Sequence, residues 1–228
     1  RDRLDWWDVL APDERERVEL VALGLIARAD WEPANGFEVT EDMQVLIAAQ
    51  AALLTANLPY EDPYRDVHAV IVHPTTTIMH GEHSQVDGIY SDDPTPVLGE
   101  AMMHGPLLVA WDEVQADVHH AGDGRNVVFH EFAHTLDMLD GVTDGTPPMD
   151  ADLARRWVPV CTAVYEAVVE GRAGEVIDDY AGVNPAEFFA VGAEAFFDDP
   201  LELRDEHPDL YDCFSDFYGQ DPAGWFEA

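Results

Sequence analysis

Two histidines four residues apart, with a glutamate directly after the first, are the residues here best suited to chemistry. They stand as His130-Glu131-Phe132-Ala133-His134 inside VVFHEFAHTLDMLDG. On a helix, residues four apart lie one turn apart on one face, so both imidazoles can aim a nitrogen at one point. Zinc accepts neutral imidazole at about 2.0–2.1 Å and favours a tetrahedron of four ligands. Glu131 is rotated around the helix and would stand beside the ion, placed to take a proton from a water that the ion activates. The bland reading is a core helix with two buried, hydrogen-bonded histidines. Val127, Val128, Phe129, Phe132, Ala133 and Leu136 make the helix apolar enough to bury, and so supply the dry surround that a catalytic ion uses. Asp137 lies three residues after His134 and shares the histidine face. It could accept from a ligand histidine and fix its tautomer, or be a solvated carboxylate on the flank.

Two histidines do not complete a catalytic zinc site, which usually has three protein ligands and a water. Positions 137 and 140 are both Asp, so a third histidine in an HExxHxxGxxH arrangement is ruled out. A carboxylate on a second helix is the other common solution, and AEFFAVGAEAFF offers Glu187 and Glu194, nearly on one face. A carboxylate embedded in an apolar helix is costly unless it is paired or bound to a cation. At least one of the two is therefore expected as a ligand or as the partner of one, and composition does not choose between them.

The elements that must position these residues can be read from periodicity and caps. Residues 12–29 predict an amphipathic helix with Pro and acids in its first turn, and Thr40 caps a helix over 41–56. VHAVIVHP (67–74) predicts a strand stopped by Pro74, and residues 75–96 a long surface loop, a candidate lid that includes His80, His83 and Tyr90. VLGEAMMH (97–104) and LLVAW (107–111) read as two strands joined by a tight turn at Gly105-Pro106. Asp112 caps a short helix to about His119, and the histidine helix follows from about Arg125 to Leu139, closed by Gly141. Further helices are expected over 150–170, 186–197 and 200–218. The order predicts one α+β domain over 1–228, mostly helical, with a small mixed sheet beside the histidine helix. Its parts are an N-terminal helical part (1–60), the sheet and HExxH helix (66–141), and the C-terminal helices with the third ligand (150–228).

The chain has 228 residues, 47 of them acidic and 11 basic, a formal charge of -36, and every basic residue is Arg. Such a surface repels phosphate backbones and anionic membranes, so no direct nucleic-acid or membrane binding is expected. It attracts cations or basic partners, and salt would screen its self-repulsion. The two cysteines, Cys161 and Cys213, sit in apolar helical patterns and read as packed thiols. No apolar run is long enough to span a bilayer and no export signal opens the chain, so a cytoplasmic location is expected.

HEFAHTLDMLDG followed by Tyr180-Ala181-Gly182-Val183-Asn184-Pro185-Ala186-Glu187-Phe188-Phe189-Ala190 resembles the Mlc titration factor A family of zinc peptidases. A more distant likeness is to the catalytic domain of anthrax lethal factor. GEAMMHGPLLVAWDEVQAD, DGRNVVFHEFAHTLDMLDG and PDLYDCFSDFYGQDP carry the likeness over most of the chain. The resemblance implies a gluzincin-type fold with one Zn2+ held by His130, His134 and Glu187, and Glu131 as general base. It also implies Tyr180 as donor to the oxyanion, and leaves Glu194 as a supporting residue. An edge strand at Leu108, Val109 and Ala110 would bind a peptide or protein substrate through its backbone. It further implies, as an alternative role, binding of a transcriptional repressor of sugar uptake.

Overall fold

Prolines and short polar side chains decide where this chain turns helical. The computed structural model describes residues 4–34, 36–60, 62–75, 105–120 and 122–226. Helix α1 (Pro12–Arg28) starts on its proline, and α2 (Glu41–Leu54) starts where Thr40 Oγ1 accepts from the Met43 N–H. The loop expected over residues 75–96, with His80, His83 and Tyr90, lies from residue 76 on outside the described residues, as does the strand expected over 97–104.

Three short strands form a parallel sheet in the order β1-β2-β3: β1 (Asp30–Pro33), β2 (Ala69–His73) and β3 (Leu107–Ala110). Asp30 pairs with Ala69, and Val70 with Leu107. The described strands are all parallel, where a mixed sheet was expected. Strand β1 was not expected at all, because DWEP carries two acids and a proline; it sits on the outside of the described sheet, where proline costs no ladder bond on its free side. The last strand also ends one residue early, since Trp111 already opens α3 (Trp111–His119). Asp112 does not cap that helix. Ala110 is its N-cap, without a side-chain bond, and Asp112 Oδ1 accepts from the neighbouring Glu113 N–H.

Helix α4 (Val127–Asp137) carries both histidines and ends through a short 3-10 turn at Gly141, whose φ of 87° suits glycine. Helices α5 (Ala151–Val169) and α6 (Pro185–Asp198) follow, capped by Asp150 and Asn184. The single helix expected over 200–218 is two, α7 (Pro200–Glu206) and α8 (Pro208–Tyr218), with α9 (Pro222–Trp225) after them. Pro208 disfavours helical backbone at the residue before it, and His207 accordingly sits at φ -132°, ψ 63°.

Helix α6 is the central rod: every residue from Ala186 to Phe197 is buried except Glu187. Phe189 and Phe196 meet Trp157, Phe214, Phe217, Tyr211 and Tyr218 in one aromatic cluster. Gly192 admits the Phe214 ring, which would lie 2.7 Å from a Cβ at that position. The buried apolar residues form one continuous cluster from Leu4 to Ala223, and both cysteines are buried free thiols. Among the described residues, no helix is long and apolar enough to cross a membrane.

Candidate metal centre

The start of α4 is fixed before its histidines emerge. Asn126 Oδ1 accepts from the Val128 and Phe129 N–H groups at 3.1 and 3.0 Å. Asp117 Oδ2, from α3, accepts from the Val127 N–H at 2.8 Å, and Glu194 Oε2, from α6, accepts from the Asn126 N–H at 2.7 Å. One turn further on, the Nε2 atoms of His130 and His134 lie 3.2 Å apart. Glu187 stands in the first turn of α6, where Asn184 Oδ1 accepts from its N–H. Its Oε2 lies 3.0 Å from His130 Nε2 and 3.4 Å from His134 Nε2. Among the described residues, these three side chains are the group that could share one metal ion.

The donor set suits a cation. His130 Nδ1 donates to Glu194 Oε1 at 2.7 Å, which leaves the Nε2 lone pair facing Glu187 and His134. Two imidazole nitrogens and a carboxylate oxygen converge there, a set that one cation, or a proton on His134 Nε2, would satisfy. Burial pulls the His130 pKa down, but hydrogen bonds to the Glu187 and Glu194 carboxylates outweigh it and raise the value to about 10. Burial likewise pushes Glu187 up, and the two imidazoles overcome it, holding the carboxyl at about 2.

Glu131 lies beside this cluster. Burial raises its pKa, against the pull of His130 and His134. Tyr180 comes from the 3-10 turn Asp179–Gly182, which Asp178 caps through the Tyr180 N–H. Its ring centre is 6.1 Å from that of His130, and 51% of the residue is exposed. Partial burial, then Glu187 and Glu131, raise the phenol pKa, so the hydroxyl keeps its proton at neutral pH.

His130, Glu131, His134, Tyr180 and Glu187 are thus together, with Glu194 directly behind His130. Asp137 is placed otherwise. It is fully buried and its Oδ2 accepts from the Gly145 N–H at 2.9 Å, without a hydrogen bond to either histidine. The link to a histidine expected of Asp137 is made by Glu194, because the end of α4 turns Asp137 toward the following loop. Leu108, Val109 and Ala110 lie in β3, which packs beside α4 and is the outer described strand on its side. Asn126 and Asp117 were missed. Asn126 carries an N-cap signal, an Asn just before an apolar run, whereas nothing in the sequence aims Asp117 at a backbone ten residues on.

The family described as glucose-regulated metallo-peptidase M90 matches residues 1–219 of the chain. An uncharacterized protein of Synechocystis is 32% identical over 226 residues, covering 97% of this chain and 82% of that protein. Proteins named Mlc titration factor A are similarly close. That of Edwardsiella ictaluri is 31% identical over 93% of this chain and 83% of its own length. That of Serratia proteamaculans is 30% identical over 95% and 87%.

Proposed function

The chain belongs to the glucose-regulated metallo-peptidase M90 family, and on that premise we propose that it is a cytoplasmic, zinc-dependent peptidase of the gluzincin type. Its ion would be held by His130, His134 and Glu187. The observation that carries this reading is the spacing of the donors. A tetrahedron with arms of about 2.0–2.1 Å has edges of roughly 3.3–3.4 Å. The three donor separations are 3.0, 3.2 and 3.4 Å. Three protein ligands leave one vertex for substrate chemistry, whereas a structural site closes all four.

Zinc bound there would supply Lewis-acid polarisation of a peptide carbonyl and make a nearby water easier to deprotonate. Glu131 takes the proton of the attacking water and passes it to the leaving amine, a task suited to a carboxyl whose pKa burial raises. The Tyr180 hydroxyl donates to the carbonyl oxygen as negative charge develops on it. Glu194 holds His130 Nδ1–H, so that Nε2 keeps its lone pair for the ion. The backbone edge of β3 that is outermost among the described strands, at Leu108, Val109 and Ala110, aligns the substrate as an added strand.

The test is zinc per chain, measured by mass spectrometry on wild type, Glu187→Ala and Glu194→Ala, with peptide hydrolysis alongside. One zinc in the wild type, lost with Glu187→Ala and kept in Glu194→Ala, is the expected result. A wild type that takes up no zinc on reconstitution would overturn the reading.

The family resemblance, which the relatives named Mlc titration factor A support, suggests a second role: binding of a transcriptional repressor. Glu131→Gln separates the two, since repressor binding survives it and hydrolysis does not.

A further inference from the structure

Gln50 is a polar residue in an apolar run. It follows Leu46, Ile47, Ala48 and Ala49 and precedes Ala51, Ala52, Leu53 and Leu54, all buried, and is itself only 2% exposed. A buried amide is costly unless both of its ends are bonded. Gln50 Nε2 donates to the Leu46 carbonyl one turn back at 3.2 Å, which turns Oε1 outward to accept from Asn126 Nδ2 at 2.8 Å.

The direction of that bond matters. Asn126 spends its own Oδ1 on the Val128 and Phe129 N–H groups, so its Nδ2 is left needing an acceptor. Its backbone N–H holds Glu194 Oε2, and the other oxygen of Glu194 holds His130 Nδ1. One unbroken chain of polar contacts, buried as far as Glu194, therefore runs from α2, through the first residue before α4, to α6 and back to the histidine. Each link is between 2.7 and 2.8 Å.

We propose that Gln50 is a positioning residue for the metal centre: it fixes the Asn126 amide, through it the Glu194 carboxylate, and so the ring orientation and tautomer of His130. The inference rests on the metal-centre reading above and extends it to a helix that supplies no ligand. Partners behind a ligand histidine typically change metal affinity 10–100-fold when removed.

The experiment is zinc affinity by competition with a chromophoric chelator, for wild type, Gln50→Leu, Glu194→Gln and the double variant, with the melting temperature of each metal-free protein. Gln50→Leu is expected to weaken zinc binding about tenfold. The double variant should bind zinc no more weakly than Glu194→Gln alone, because both changes act on the same His130 contact. If Gln50→Leu does not fold, Gln50→Met carries the same comparison with an unbranched side chain of similar length. An unchanged zinc affinity with a lowered melting temperature would show a packing role only and overturn the proposal. So would a loss that adds in full to that of Glu194→Gln. A wild type that binds no zinc would instead overturn the metal-centre reading itself.

Discussion

The Glu131 carboxylate is pulled in two directions, and the balance suits a group that must hold a proton briefly. Burial favours its neutral form, while His130 and His134 favour the charged one. Replacing it by Gln keeps the volume and removes the basicity. Glu131→Gln should therefore retain zinc while peptide hydrolysis falls about 10²–10⁴-fold. Equal loss of zinc and activity would make Glu131 a ligand instead. Tyr180 has a different signature, because its half-exposed ring carries little of the core. Tyr180→Phe should leave the melting temperature nearly unchanged and lower kcat about 10²-fold or more at similar KM, as expected of a donor that acts on developing charge. A rise in KM at constant kcat would assign the hydroxyl to ground-state binding.

At the scale of elements, the site depends on how α4 and α6 are locked together, and Gly145 is the pin. Its N–H bonds the buried Asp137 at the end of α4, its carbonyl accepts from Trp157 Nε1 in α5, and its φ is 74°. A Cβ there would overlap the carbonyl of Pro185, the first residue of the helix that carries Glu187. Gly145→Ala should cost about 2 kcal/mol or more and also weaken zinc binding, read by thermal melts with and without the metal. Zinc affinity held at the wild-type value would show that α6 does not depend on this contact. The sequence made α4, α6 and their ligand face legible, because a four-residue histidine spacing and an apolar helical run with two carboxylates seven apart are local signals. What stayed hidden was relational. Asp137 and Glu194 are both carboxylates on the right helices, and only packing turns one to Gly145 and the other to His130. Strand β1 was hidden for a similar reason: its residues have poor strand propensity, and its pairing with β2 makes it a strand.

At the scale of the whole molecule, a formal charge of -36 and a set of buried carboxyls act on stability in the same direction, and salt can tell them apart. Burial raises Asp117 to about 7, and Asp137 and Asp198 to about 6. Each binds its proton more tightly in the folded chain than in the unfolded one, where an Asp titrates near ~3.9. Their contribution is thus fully present below about pH 4 and is lost as pH rises through 6 to 7. Glu187, held at about 2, titrates below that window, whereas His130, raised to about 10, adds a loss of the same sign that begins above about pH 6.5. Surface repulsion also grows as pH rises, but roughly 1 M salt shortens its range to about 3 Å and removes most of it. The metal-free protein should therefore melt higher in 1 M NaCl than at low salt, and even in 1 M NaCl higher at about pH 5 than at pH 8. Asp117→Asn with Asp198→Asn keeps an acceptor oxygen for the Val127, Gly122 and Gly124 N–H groups and removes two of the titrating carboxyls. That variant should show a shallower pH dependence at high salt and an unchanged response to salt. If the wild-type melting temperature were flat with pH in 1 M NaCl, repulsion alone would account for the pH response, and the buried carboxyls would titrate alike in the folded and unfolded chain.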